Sequence, residues 1–288
     1  MSLIYKYANI SNAIKILKSG KIILTNPLEF NDPFDSELLI KEEDNKNAVD
    51  LIKNYCAFKV LCNKSKDKKI NKAIKEIKNE KIYKYIELNI FGNFSKKNDN
   101  VFIDNIKNKA NEIRNSALIG CFSKTNNNIL MWSHYADSHK GVCIEFEEER
   151  KNIFKDVSYS ETREYFDINF VVSKLLAFDF LNKKYDLNDN ALFDKIMKPF
   201  YVKSKDWEYE QEIRCVLSNN EWPKNIDDKK YGIDMKIKKI YLGIRVENND
   251  ELKELIEIAK EKNVEIVYMK EDKNKFAVSS TSEKCGIA

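Results

Sequence analysis

Three short stretches of this chain gather side chains able to move protons or bind charge. In the first, Phe30-Asn31-Asp32-Pro33-Phe34-Asp35, two carboxylates and an amide stand between two aromatic anchors. Pro33 fixes its own φ and confines Asp32 to extended backbone, so the loop is stiff enough to line a site; a turn that merely bonds its own backbone has the same composition. The second, Met131-Trp132-Ser133-His134-Tyr135-Ala136-Asp137-Ser138-His139-Lys140-Gly141, holds both histidines of the chain. Five positions apart, they lie about 140° round a helix and cannot ligate zinc as an i, i+4 pair does, and no C-x-x-C supplies partners, so no metal site is expected. His134 with Tyr135 suits acid–base or hydrogen-bonding work near neutral pH, or a structural role in an aromatic cluster.

The third stretch, Trp207-Glu208-Tyr209-Glu210-Gln211-Glu212-Ile213-Arg214-Cys215-Val216-Leu217, alternates like a strand. Its period of two puts Trp207, Tyr209, Ile213, Cys215 and Leu217 on a core face, and Glu208, Glu210, Glu212 and Arg214 on the other. Three carboxylates in a row repel unless solvated or matched by cations, so this face is either wet or the floor of a cleft. Glu212, two before Arg214, is expected to be neutralised and positional, and Glu208, near the start, solvated. Glu210 is left as the catalytic candidate.

Elements must bring these stretches together. The chain has 288 residues, 50 basic and 46 acidic, for a net charge of +4, so gross charge does not mark a nucleic-acid binder. Seven Gly and four Pro, with 16 Phe, 14 Tyr and three Trp, exclude a collagen-like, linker-like or disordered chain. The six cysteines read as reduced thiols, and there is neither a signal-like start nor an apolar run of membrane-spanning length, so a cytoplasmic protein is expected. Leu3–Tyr7 reads as a strand, Asn9–Ser19 as a helix with Ser11 as a capping residue and Gly20 as its stop, and Lys21–Thr25 as a second strand. Residues 41 to about 115, rich in Lys, Asn and Glu with Ile and Leu at helical spacing, read as a mainly helical insertion. Beyond it come strands over 118–123, 141–146, 157–160 and 208–217, helices over about 168–182 and 191–202, and a closing unit of strand 237–243, helix 250–262, strand 264–268 and strand 276–279. The expected fold is a single α+β domain over 1–288 with a mixed central sheet.

Together these segments resemble the bacterial family catalogued as domain of unknown function 2971. The resemblance runs through Lys6-Tyr7, Phe30-Asn31-Asp32-Pro33-Phe34 with Asp35 where Glu is usual, Cys121-Phe122-Ser123, Met131 to Asp137, His139 and Gly141-Val142. It continues through Lys203, Trp207, Tyr209-Glu210, Glu212, Arg214 and Leu242-Gly243. That family implies no activity, though some relatives are similar to abortive-infection proteins of phage resistance. The opening strand–helix–strand and the late acidic strand also look like the ADP-ribosyltransferase-like fold. There an early strand carries a basic or aromatic NAD-binding residue and a late strand a catalytic glutamate in an E-x-E arrangement, which Glu208-Tyr209-Glu210 and Glu210-Gln211-Glu212 both satisfy.

The expected function is a bacterial defence-type enzyme acting on NAD as substrate, by ADP-ribosyl transfer or hydrolysis. Glu210, His134 and Tyr135 form its catalytic set, and Lys6, Tyr7, Asn31, Asp32, Trp132, Glu212 and Arg214 its binding set. The alternatives are a non-enzymatic ligand-binding or sensor module of phage defence, and a magnesium-dependent nuclease built on Asp32, Asp35 and a late glutamate. The acceptor of an ADP-ribosyl group is open; no membrane partner is expected, and nucleic acid is not indicated by net charge.

Overall fold

The computed structural model describes residues 2–41, 43–44, 47, 51, 108, 111–148, 153–173, 190–217 and 231–281. The chain forms two compact units: one from residues 1–35, 117–162 and 203–288, the other from 36–116 and 163–202. Most of the insertion expected over 41–115 falls outside the described residues; within it, residues 111–115 are helical. No helix among the described residues is long and apolar enough to cross a membrane.

The first unit is α+β around a mixed sheet. Strand β1 (Ser2–Ala8) leads into helix α1 (Ile10–Ser19), whose Ala13, Ile14 and Leu17 are buried at helical spacing. The helix cap differs from expectation: Asn9, not Ser11, accepts the Asn12 N–H at 2.8 Å, because Asn9 sits on extended backbone one place before the first helical residue. Gly20 ends the helix in left-handed conformation at φ 68°. Strand β2 (Lys21–Ile23) pairs with β9 (Gly232–Asp234) in a small sheet of its own. The main sheet uses β3 (Leu118–Ser123), β4 (Val142–Glu148), β5 (Phe154–Asp156), β8 (Glu212–Leu217), β10 (Lys236–Leu242), β11 (Glu265–Glu271) and β12 (Val278–Thr281). With β1 they form eight strands in the order β12-β11-β10-β4-β1-β3-β8-β5. All neighbours are antiparallel except β10 and β11, the parallel pair joined by helix α4 (Asp250–Glu261). The short strands β6 (Ser158–Ser160) and β7 (Val202–Ser204) lie outside this sheet.

Strand alternation gives the sheet two unlike faces. On one, Ile4, Leu118, Phe122, Ile144, Phe146, Ile213, Cys215, Ile240 and Leu242 pack with Leu17 of α1 and Leu252 and Leu255 of α4. On the other, Tyr7, Cys143, Tyr241 and Met269 pack with Met131 and Trp132 of helix α2 (Ile129–Tyr135). Cys121, Cys143 and Cys215 are free thiols on strands, as expected. The second unit has its own ties. The Phe166 N–H donates to Leu39 O at 2.7 Å, and Lys198 pairs with Glu164 at 2.6 Å. Its helix from 168 and helix α3 (Asn190–Met197) carry buried Val172 and Met197.

One strand is shorter than expected. Residues 207–210 belong to a 3-10 turn (Lys205–Glu210) rather than to the strand, and β8 starts only at Glu212. Ser204 caps the turn by accepting the Asp206 N–H, and Gln211 closes it at φ 44°. The break relieves the row of like charges: Glu208 stays in solvent, while Glu210 and Glu212 turn inward on different elements.

The turn from α2 to β4 is pinned by backbone hydrogen bonds. Asp137, Ser138 and His139 all have positive φ, and the Gly243 N–H donates to Gly141 O at 2.9 Å. A Cβ on Gly243 would lie 2.0 Å from His139 O. Gly243→Ala should therefore lower stability by about 1–3 kcal/mol in urea unfolding, the usual cost of overpacking; a loss below about 0.5 kcal/mol would mean the turn yields freely.

Candidate active site

The site lies on the α2 side of the sheet, over β1, β3 and β8. Odd positions of β3 and even positions of β8 point there, so Cys121 and Ser123 come to lie beside Glu212 and Arg214, their register partners (Ser123 with Glu212, Cys121 with Arg214). β1 and β3 share a single register pair, Tyr5 with Ser123. Around this place opens a cavity of about 440 Å³, lined among others by Tyr5, Lys6, Tyr7, Phe30, Asn31, Asp35, His134, Tyr135, Lys203, Glu210, Glu212 and Arg214.

Its floor is a network of buried charges. Arg214, fully buried, donates from Nε and Nη2 to Glu212 at 2.6 and 2.9 Å, and from Nη1 and Nη2 to Asp35 at 2.8 and 2.6 Å. Each carboxylate thus receives a two-pronged bond, the geometry that suits guanidinium and not ammonium. Lys203, on β7, donates to Glu210 Oε2 at 2.6 Å and to Glu212 Oε2 at 3.4 Å, lies 3.6 Å from Asp35 Oδ2, and sits over the Trp207 ring. Burial works to raise the Glu212 carboxyl, but the charge and hydrogen bonds of Arg214, with the charge of Lys203, outweigh it and hold the group down at about 2. Burial works to lower the Lys203 ammonium, and its three carboxylates raise it instead.

Glu210 differs from its neighbours. Burial raises its carboxyl against the pull of Lys203 and Tyr135. Tyr135 donates to Oε1 at 2.6 Å, and Asn31 bonds the Tyr135 side chain. The Glu210 backbone is fixed as well, because Ser123 Oγ donates to its carbonyl at 2.7 Å and Asn128 Nδ2 to that of Tyr209 at 2.8 Å. Glu210 is thus the carboxylate of the floor that is not enclosed by the guanidinium. At the rim, His134 Nδ1 and Tyr209 Oη are 2.9 Å apart.

Eight of the ten residues singled out from the sequence line this cavity: Lys6, Tyr7, Asn31, His134, Tyr135, Glu210, Glu212 and Arg214. Two do not. Asp32 accepts the Phe34 N–H through Oδ1 at 2.9 Å and serves the turn. Trp132 is 1% exposed; it packs edge-on to Tyr7 and donates from Nε1 to Asn126 O at 2.8 Å. Phe34, expected as an anchor, is 66% exposed, whereas Phe30 lies against Arg214 at 5.7 Å. Asp35 and Lys203 belong to the floor and were not among the ten; the signal for Lys203 was the excess of acids over cations on the late segment, which demanded a second cation, whereas Asp35 is drawn in by Arg214 from 179 positions away and that excess did not point to it.

Replacing Arg214 by Ala leaves Asp35 and Glu212 buried with their main counter-charge gone, and should cost about 3–5 kcal/mol in urea unfolding. The acid limb carries a second check. Because folding depresses Glu212 from 4.5 to about 2, its contribution is present above about pH 4.5 and is lost as pH falls toward 2. Glu210, shifted the other way, opposes this loss, so Glu212→Gln should flatten the decline of stability over that window; an unchanged acid limb would contradict the pairing.

Residues 131–215, which carry most of α2 with Lys203, Glu210, Glu212 and Arg214, match the model of a family described as "Protein of unknown function (DUF2971)". No curated protein and no solved structure matches the chain. Over the stretch that builds most of the cavity floor, then, the chain is similar to a family without an assigned activity.

Proposed function

We propose that the chain is an enzyme acting on NAD, breaking the bond between nicotinamide and ribose and passing ADP-ribose to water or another acceptor. The observation that carries this reading is Glu210: a carboxylate at the edge of an aromatic-lined cavity, held by Tyr135 on one oxygen and Lys203 on the other. In the reaction the carbon–nitrogen bond breaks with both electrons leaving to the pyridinium nitrogen, and ribose C1 becomes cationic. A fixed carboxylate beside that carbon stabilises the charge as it develops and can accept the proton of the incoming nucleophile. Tyr135 and Lys203 fix its direction in advance.

The rest of the cavity fits the nicotinamide end of such a substrate. The pyridinium ring is flat and cationic, and Tyr5, Tyr7, Phe30, His134 and Tyr135 in the lining supply aromatic surfaces suited to it. A volume of about 440 Å³ lies in the range of small-molecule sites. Glu212 and Arg214 act as the brace beneath Glu210. Of the aspartates weighed for a magnesium-dependent nuclease, Asp35 is forked by Arg214 and Asp32 is not in the cavity lining. Among the described residues no group of three or more His, Cys, Asp or Glu is arranged to hold a metal ion. Geometry therefore favours the NAD reading over that one.

Nicotinamide release from NAD by the purified chain, followed chromatographically, is the test. Glu210→Gln should lower kcat by about 10²–10³, the scale on which charge stabilisation acts, with melting retained. A fully active variant would refute the role of Glu210. NAD bound without turnover would favour the binding-module reading instead.

A further inference from the structure

Lys6 stands apart from the other cations of the cavity. Lys203 and Arg214 are matched to carboxylates, whereas the hydrogen bond of Lys6 among the described residues goes to a main-chain carbonyl, Cys121 O, at 3.0 Å. That bond spans the place where β1 and β3 share a single register pair, so the side chain crosses the gap in the ladder with its nitrogen in the cavity lining. The Phe122 ring lies 5.5 Å from Nζ. Removal from water disfavours the ammonium and lowers the group from its ordinary value, against the weaker opposing pull of Cys121 and Glu212. A half-buried amine on an open cavity, with a carbonyl and a ring for company, is the setting in which lysine acts as a nucleophile.

We propose that Lys6 is a reactive amine that takes up the carbonyl group of a small aldehyde or ketone as an imine. The Nζ lone pair attacks the carbonyl carbon, a carbon–nitrogen bond forms, and the carbonyl oxygen leaves as water with both amine hydrogens. Nothing is oxidised or reduced. Charge selects this class over an anion at the same position: Glu29, Asp35, Glu210 and Glu212 all line the cavity, and the two other cations of the lining are matched to acids. A neutral hydroxyaldehyde needs no counter-charge there and meets no repulsion from these acids. The inference goes beyond the NAD reading and stands or falls without it.

The experiment uses the full chain and glyceraldehyde as probe, with sodium cyanoborohydride to reduce any imine to a stable secondary amine, at neutral pH and without NAD. Peptide mass spectrometry then compares Lys6 with the exposed Lys18 and Lys253 of the same molecule. The expected result is an adduct at Lys6 that forms at least about tenfold faster than at the exposed lysines, as a less protonated amine gives. In Lys6→Arg, which keeps a donor toward Cys121 O and cannot form the imine, that adduct vanishes while labelling elsewhere is unchanged. Labelling of Lys6 at or below the rate of the exposed lysines in the native chain would overturn the proposal, and needs no variant to fold.

Discussion

The site depends on one buried guanidinium. Arg214 is withdrawn from water entirely, and a charge in that position is tolerable only when its donors are matched. Two forked carboxylates match them: Glu212, two residues along the same strand, and Asp35, brought in by the loop from 30 to 35. The two acids together carry one more negative charge than Arg214 can balance. Lys203 answers that excess, and in doing so it also reaches Glu210. Each member explains the next, and the last is the carboxylate that the guanidinium does not fork, held instead by Tyr135 and Lys203.

The same constraint accounts for the local backbone. A continuous strand through 208–212 would have laid three glutamates in a row on one face. The 3-10 turn capped by Ser204 and closed by left-handed Gln211 removes Glu208 to solvent and swings Glu210 against Tyr135. Ser123 and Asn128 then hold the turn through its carbonyls, so the position of Glu210 is fixed by main chain as well as by charge.

Much of this was legible in the sequence. The alternation of β8 from Ile213 to Leu217, the apolar runs of β3 and β4, and the spacing of Ala13, Ile14 and Leu17 gave the sheet and its packed helix face. The convergence of Lys6, Tyr135, Glu210 and Arg214 followed from polar groups set among aromatic anchors, and pairing Glu212 with Arg214 needed only a period of two. The misses share a cause. Over 207–211 the alternation of aromatic and acidic residues imitates a strand, and only the cap formed by Ser204 and Asp206 betrays a turn. Asp32 and Asp35 look equivalent in the loop, yet one serves its own backbone and the other a partner 179 positions away, a choice set by tertiary approach. Trp132 reads as a binding residue because helical periodicity alone does not say which side of α2 the sheet covers.

The central claim is that this charge network presents Glu210 to the sugar of a bound dinucleotide. A crystal structure of the Glu210→Gln chain with NAD tests it most directly, because the substitution keeps the shape of the side chain while slowing turnover. The account predicts the nicotinamide ring among Tyr5, Tyr7 and Tyr135, with ribose C1 beside the position 210 side chain and the Arg214 forks unchanged. NAD bound away from this cavity, or a cavity that stays closed to it at saturating concentration, would contradict it.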